Sequence, residues 1–300
     1  MNIHSDPAID WQFLLQSLQQ GDTRALARMI SLVENEAPGY LQVLEELPGN
    51  SSPRIIGITG PPGAGKSSLV DLMIGHLIEG GRKIGVLCVD PSSPFHSGAL
   101  LGDRIRMSEW YTHPCVFIRS LTTRGSLGGL HPKIIEVSDL LKAASFDCIL
   151  VETVGVGQSE VEIAGLADTT VVVLVPEAGD EIQIMKAGLM EIADIFVVNK
   201  SDRPGADDFV RNLRLMVGEI PIIKTIASQK KGISELMEKI LQHQQSEDQI
   251  NRKSLLLAEK AYHLILHMRM RDISKKELKE TIRKKLNSRE FNLYKFVSSY

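Results

Sequence analysis

The stretch GITGPPGAGKSSLVD, residues 57–71, sets Gly60 and Gly65 ahead of Lys66 and Ser67 with the spacing G-x-x-x-x-G-K-[ST]. Glycines let the backbone curl so that successive N–H groups face one oxyanion, and the helix predicted to follow adds the positive end of its dipole. The chemistry is phosphate binding: Lys66 bridges β- and γ-phosphates and Ser67 ligates Mg²⁺. Gly60, Pro61, Pro62, Gly63, Ala64 and Gly65, with Ser68 just inside the helix, form the expected contact set.

Asn199-Lys200-Ser201-Asp202, at the end of the apolar run DIFVVN, bears on the base. A carboxylate there accepts from guanine N1–H and the 2-amino group, whereas adenine offers an acceptor at N1 and no 2-amino group. The nucleotide read from these residues is GTP. TIASQKKG closes a later strand, so the Ala227 N–H is expected to donate to guanine O6 while Ser228 steadies the loop.

A third element is CILVETVGVGQSE, an apolar strand ending in Glu152 and Thr153, with the Gly155 amide available to a γ-phosphate. Further acids are Asp90, ending VLCVD, and Asp103 in GALLGDRIRM, beside Arg104 and Arg106. Asp90, at a strand end beside the phosphate loop, is the expected Mg²⁺ ligand. No Ser/His/Asp triad, Cys/His pair or glycosidase carboxylate pair follows from spacing, which leaves hydrolysis by a positioned water.

These residues need a scaffold that brings strand ends together. RIIGIT, KIGVLCVD, CVFIRS, FDCILVET, TTVVVLV, DIFVVN and PIIKTIA alternate with helical segments at roughly 66–79, 132–144, 180–192, 206–218 and 232–244. Runs apolar on both faces predict an α/β fold with a mainly parallel central sheet flanked by helices. Ahead of it, WQFLLQSLQQGDTRALARMISLVEN reads as two helices broken at Gly21-Asp22, with Asp22 as N-cap. The expected organisation is a helical prefix over 1–50, a phosphate-loop GTPase domain over 51–247, and a C-terminal helical arm over 248–300.

The formal net charge of −3 conceals an asymmetry: residues 251–300 hold 13 Lys and Arg against 5 Asp and Glu, leaving 21 against 32 in residues 1–250. In ISKKELKETIRKKL, Leu278, Ile282 and Leu286 recur at helical spacing and Lys276–Glu280 and Glu280–Lys284 are i,i+4 pairs, so a solvated helix is favoured over a nucleic-acid surface. Cys88, Cys115 and Cys148 show no CxxC spacing and read as core residues, and the eight histidines form no ligand cluster. Without a signal sequence or an apolar run of membrane-spanning length, a cytoplasmic protein is expected.

The strings GITGPPGAGKSSLVD, VLCVDPSSPFHSGALLGDRIRM, VETVGVGQSE and AGDEIQIMKAGLMEIADIFVVNKSD resemble the MeaB/ArgK-type G proteins associated with methylmalonyl-CoA mutase, from about residue 11 to about residue 245. The resemblance implies a homodimeric GTPase that chaperones a coenzyme-B12-dependent acyl-CoA mutase, gating cobalamin loading and protecting or reactivating the mutase. It gives Lys66 and Ser67 to phosphate and magnesium, Asp90, Asp103 and Glu152 to magnesium and the switch region, and Asn199, Lys200 and Asp202 to guanine. Lys66, Asp103, Glu152 and Lys186 are the candidate catalytic set. PEAGDEIQIMK, with Glu177, Asp180 and Lys186, falls at a further switch facing the client, and TTRGSLGGLH at another glycine-rich loop of the family. The sequence departs from the family at His96-Ser97, and NRKSLLLAEKAYHLILHM lacks the tryptophan of the family's arm. Alternative classes are a small-molecule or protein kinase built on the same loop, and a nickel-insertion GTPase, against which the lack of a His tract counts.

Overall fold

The computed structural model describes residues 9–48, 53–90, 107–122, 131, 133–153, 163–176 and 188–244, and in the C-terminal stretch 258, 261–262, 264–266, 268–270, 272–286 and 291–299, with backbone alone at Asp90, Thr122 and Gln244. The chain divides into two compact units, Met1–Asn251 and Arg252–Tyr300.

In the first unit, seven strands form one sheet: β1 (Arg54–Thr59), β2 (Ile84–Asp90), β3 (Val116–Thr122), β4 (Cys148–Thr153), β5 (Thr169–Leu174), β6 (Ile195–Val198) and β7 (Ile222–Lys224). Their order is β3-β2-β4-β1-β5-β6-β7 and every pairing is parallel. β1 lies between β4 and β5, with Gly57 opposite Val151 on one side and Thr170 on the other. The expected α/β fold with a parallel sheet is the one observed.

Side-chain alternation along each strand fills two layers. Ile55, Ile149 and Val151 face a core shared with α1 (Trp11–Gln19), α2 (Thr23–Glu34), α3 (Tyr40–Glu45) and, after β3, the helix Ile134–Ala143. Ile56, Ile58 and Leu150 face a second core with α4 (Lys66–Glu79) and the helix Ile233–Gln244. Cys148 sits in this second core, where burial pushes its thiol up to about 12, so it is packing material and not a nucleophile at neutral pH.

The prefix breaks where its sequence predicts: Gly21 takes φ +84°, and the Asp22 carboxylate accepts from the Arg24 and Ala25 amides at the start of α2. It is locked to the sheet by charges that look like surface residues in sequence. Glu34 pairs with Arg119 of β3 and faces His131 Nε2 at 3.5 Å. The Lys133 amide donates to His131 Nδ1 at 3.1 Å, which leaves Nε2 to carry the ring proton toward Glu34. Lys133, 4% exposed, reaches Glu36 at 2.9 Å, Glu136 at 3.3 Å and the Tyr40 hydroxyl at 3.0 Å.

Burial pulls the Lys133 pKa down, but the hydrogen bonds to Glu36 and Tyr40 and the Glu136 charge outweigh it and hold the ammonium above its ordinary 10.5. A pKa raised by folding contributes stability that is fully present below 10.5 and is lost as pH climbs through the raised value. Lys133→Ala strands the buried Glu136 without its counter-charge; we expect a loss of about 3 kcal/mol in urea unfolding at pH 7, shrinking in strongly alkaline buffer.

Of the second unit, the basic helix Lys275–Leu286 and the short helix Leu293–Val297 are described. Lys285 lies 5.0 Å from the centroid of the Phe296 ring. No helix among the described residues is long and apolar enough to cross a membrane.

Candidate functional site

In a parallel sheet, ligands bind beyond the carboxyl ends of strands where the winding changes direction, and β1 is such a point here. Five strand ends meet there: β1 feeds residues 60–65, β2 ends at Asp90, β4 at Glu152-Thr153, β6 leads to Asn199 and β7 to Ala227.

Between β1 and α4 the loop turns through Gly60 (φ +135°), Gly63 (+76°) and Gly65 (+90°). A Cβ on Gly60 would lie 2.1 Å from the Val173 carbonyl oxygen, and one on Gly65 2.4 Å from Asn199 Nδ2, so the curl passes where only glycine fits. At Gly63 nothing lies within 4 Å. Gly60→Ala is therefore expected to cost at least about 2 kcal/mol and to abolish nucleotide binding, whereas Gly63→Ala costs roughly 1 kcal/mol through its backbone conformation alone. Thermal unfolding of the two variants checks this ordering.

Lys66 and Ser67, each 6% exposed, sit at the base of the loop. The Lys66 ammonium donates to the Gly60 and Pro61 carbonyls at 2.8 and 3.0 Å, holding the loop closed on its own backbone. The Ser67 hydroxyl donates to Glu152 Oε1 at 2.6 Å. Thr153 and Thr59 share a hydroxyl hydrogen bond of 2.9 Å, tying β4 to β1 directly beneath.

Asn199, 2% exposed, acts as a clamp between two loops. Its Nδ2 donates to the Ala64 carbonyl at 2.9 Å, and its Oδ1 accepts from Thr225 Oγ1 at 3.1 Å and the Ala227 amide at 3.2 Å. The Asn199 amide thus holds the phosphate loop against the base loop, and the Ala227 N–H donates to it. Lys200, at φ +55°, donates to the Gly63 carbonyl at 2.9 Å, laying its stem along the same loop. Asp202 is exposed and has no hydrogen bond among the described residues.

Around these groups opens a pocket of about 470 Å³, walled by Gly65, Ser68 and Asp71 on one side and by Lys200, Asp202 and Ser228 on the other. The exposed Asp202 carboxylate stands at its rim, and next in the chain to the lining Gly65 and Ser68 lie the glycine curl, Lys66, and Ser67 against the buried Glu152. Such an arrangement can hold a nucleoside triphosphate by its phosphates and read the base edge with an acceptor. Gly60 through Ser68, Asn199, Lys200, Asp202, Ala227 and Ser228 are thus brought together, with Glu152 at the loop's base. The Asp90 side chain and Asp103, Gly155, Glu177, Asp180 and Lys186 lie outside the described residues. Sequence reasoning missed Asp71 and its partner Trp110, whose indole N–H donates to Asp71 Oδ1 at 2.7 Å.

Fold and site together define a P-loop GTPase. Residues 26–282 match the model of the family described as methylmalonyl Co-A mutase-associated GTPase MeaB, and the chain belongs to that family. A putative GTPase of Pyrococcus horikoshii is 50% identical over 242 residues, 77% of this chain and 76% of the relative. A Caenorhabditis elegans protein named methylmalonic aciduria type A homolog, mitochondrial, is 39% identical over 215 residues, 66% of this chain and 53% of the relative. Among solved structures, one described as an LAO/AO transport system kinase aligns with TM-score 0.66 over 96% of this chain and 95% of the other at 23% identity, a likeness of fold.

Proposed function

We propose that this chain is a Mg²⁺-dependent, GTP-specific switch that chaperones a coenzyme-B12-dependent acyl-CoA mutase of the methylmalonyl-CoA type, gating cofactor loading and protecting or reactivating the mutase. The observation that carries the reading is the family match over residues 26–282, whose family is described by its association with that mutase. The name of the Caenorhabditis elegans relative points the same way.

At the site, the loop amides and Lys66 hold the β- and γ-phosphates, and Lys66 exchanges its bonds to the Gly60 and Pro61 carbonyls for phosphate oxygens. Ser67 and the buried Glu152, 2.6 Å apart, are hard oxygen donors suited to magnesium, and Asp90 and Asp103 complete the proposed set. When bound, Mg²⁺ neutralises charge on the triphosphate. Asp202 accepts from the guanine edge, Asn199 fixes the distance between base loop and phosphate loop, and the Gly155 amide serves the γ-phosphate. Lys186, with Glu177 and Asp180, belongs to a segment that senses the client.

We place the protein in the cytoplasm, a compartment suited to its three free cysteines, and propose that it is a homodimer. In the second unit the side chains of Tyr262, Ile265, Leu266 and Met268 are 41–58% exposed, apolar surface that a second copy would cover. The client assignment is tested by size-exclusion chromatography of the protein with candidate B12-dependent acyl-CoA mutases, with GDP or a non-hydrolysable GTP analogue. Nucleotide-dependent co-elution with a mutase and altered cobalamin loading are expected; elution apart from every mutase in both states would remove the client.

A further inference from the structure

A nucleotide pocket must deal with phosphates, base and sugar. The loop amides with Lys66 face the first and Asp202 the second, which leaves the third without a named partner. On α4, Ser68, Asp71 and Leu72 stand at i, i+3 and i+4 on one helix face, and all three line the pocket. Asp71 is one turn beyond Ser68, about 5 Å further along the helix axis from the phosphate loop.

Its carboxylate is fixed and only half used. The Trp110 indole donates to Oδ1 at 2.7 Å, while Oδ2 accepts no hydrogen bond among the described residues. Trp110 is itself held: its ring packs on Gly75 of α4, where an added Cβ would stand 3.6 Å from a ring carbon, and it meets His113 edge-on with centroids 5.9 Å apart. An indole has one N–H to give, and here it sets the orientation of a carboxylate on the pocket wall.

An ionised carboxylate only accepts hydrogen bonds, and phosphates repel it. In a nucleotide stretched from Gly65 and Ser68 to Asp202 and Ser228, the donors between those ends are the sugar hydroxyls. We propose that Asp71, positioned by Trp110, recognises the ribose by accepting from one of its hydroxyls. The inference rests on the guanine-nucleotide reading given above.

The test is the affinity of the full chain for GTP, 2′-deoxyGTP and 3′-deoxyGTP, with ATP as the base control, in wild type, Asp71→Ala, Asp71→Asn and Trp110→Phe. Wild type is expected to bind GTP about ten-fold tighter than one of the deoxy analogues, the yield of one charge-assisted hydrogen bond. Asp71→Ala brings that ratio close to one by weakening GTP, with the preference for GTP over ATP unchanged. Asp71→Asn keeps an acceptor for the indole and so guards against a folding defect; it and Trp110→Phe narrow the ratio part-way.

Equal wild-type affinity for all three guanine nucleotides would overturn the proposal while leaving the guanine reading intact. So would an Asp71→Ala protein that keeps the sugar preference, or one that weakens every nucleotide alike, the behaviour of a structural tether. A wild-type protein that binds no guanine nucleotide would defeat the underlying reading itself.

Discussion

Asp202→Asn is expected to lower GTP affinity by about three orders of magnitude and to raise affinity for xanthosine triphosphate. The carboxylate is exposed at the pocket rim without a bond among the described residues, so it is available to accept from guanine N1–H and the 2-amino group. An amide presents a donor where the 2-amino group also donates, which leaves two donors opposed; xanthine, with an oxygen at that position, fits the amide instead. Once the bound base covers the rim, the mismatch strands polar groups, which is how sites that hydrogen-bond their ligand reach such factors. Competition binding with GTP, XTP and ATP measures the effect. Unchanged GTP selectivity would mean that the base is read elsewhere.

Lys66→Ala is expected to cost about a thousand-fold in GTP turnover and to remove tight triphosphate binding. Lys66 is 6% exposed and its ammonium bonds two loop carbonyls at 2.8 and 3.0 Å, so its loss removes a brace that keeps the loop curled together with the charge proposed to meet the phosphates. Lys66→Arg separates the two roles, since the bulkier guanidinium keeps the charge and cannot occupy the same narrow seat. Phosphate release together with nucleotide affinity reads both variants.

The seven strands were legible because β-runs buried on both faces are continuously apolar, a pattern that survives without any knowledge of contacts. All seven predicted runs lie in the one parallel sheet. Asp22 as a cap was legible for the same reason: capping is local chemistry. By contrast, α3 is six residues between Gly39 and Glu46, too short to show a helical period.

Long-range polar structure escaped in both places where it matters. Nothing local in the sequence signals that Glu34 meets Arg119 or that Lys133 meets Glu36, because these pairs form only when the prefix packs on the sheet layer. Trp110 and Asp71 are 39 residues apart, and nothing local in either neighbourhood signals the bond between them. At Asn199 the motif identifies the residue, and the fold adds that its amide spans from Ala64 to Ala227.

The most direct measurement is phosphate release by the purified chain from GTP and from ATP with Mg²⁺, alone and with each candidate B12-dependent acyl-CoA mutase. The account predicts slow turnover of GTP alone that rises when the client mutase is added. Equal turnover of ATP, or GTP turnover that no mutase changes, would contradict it.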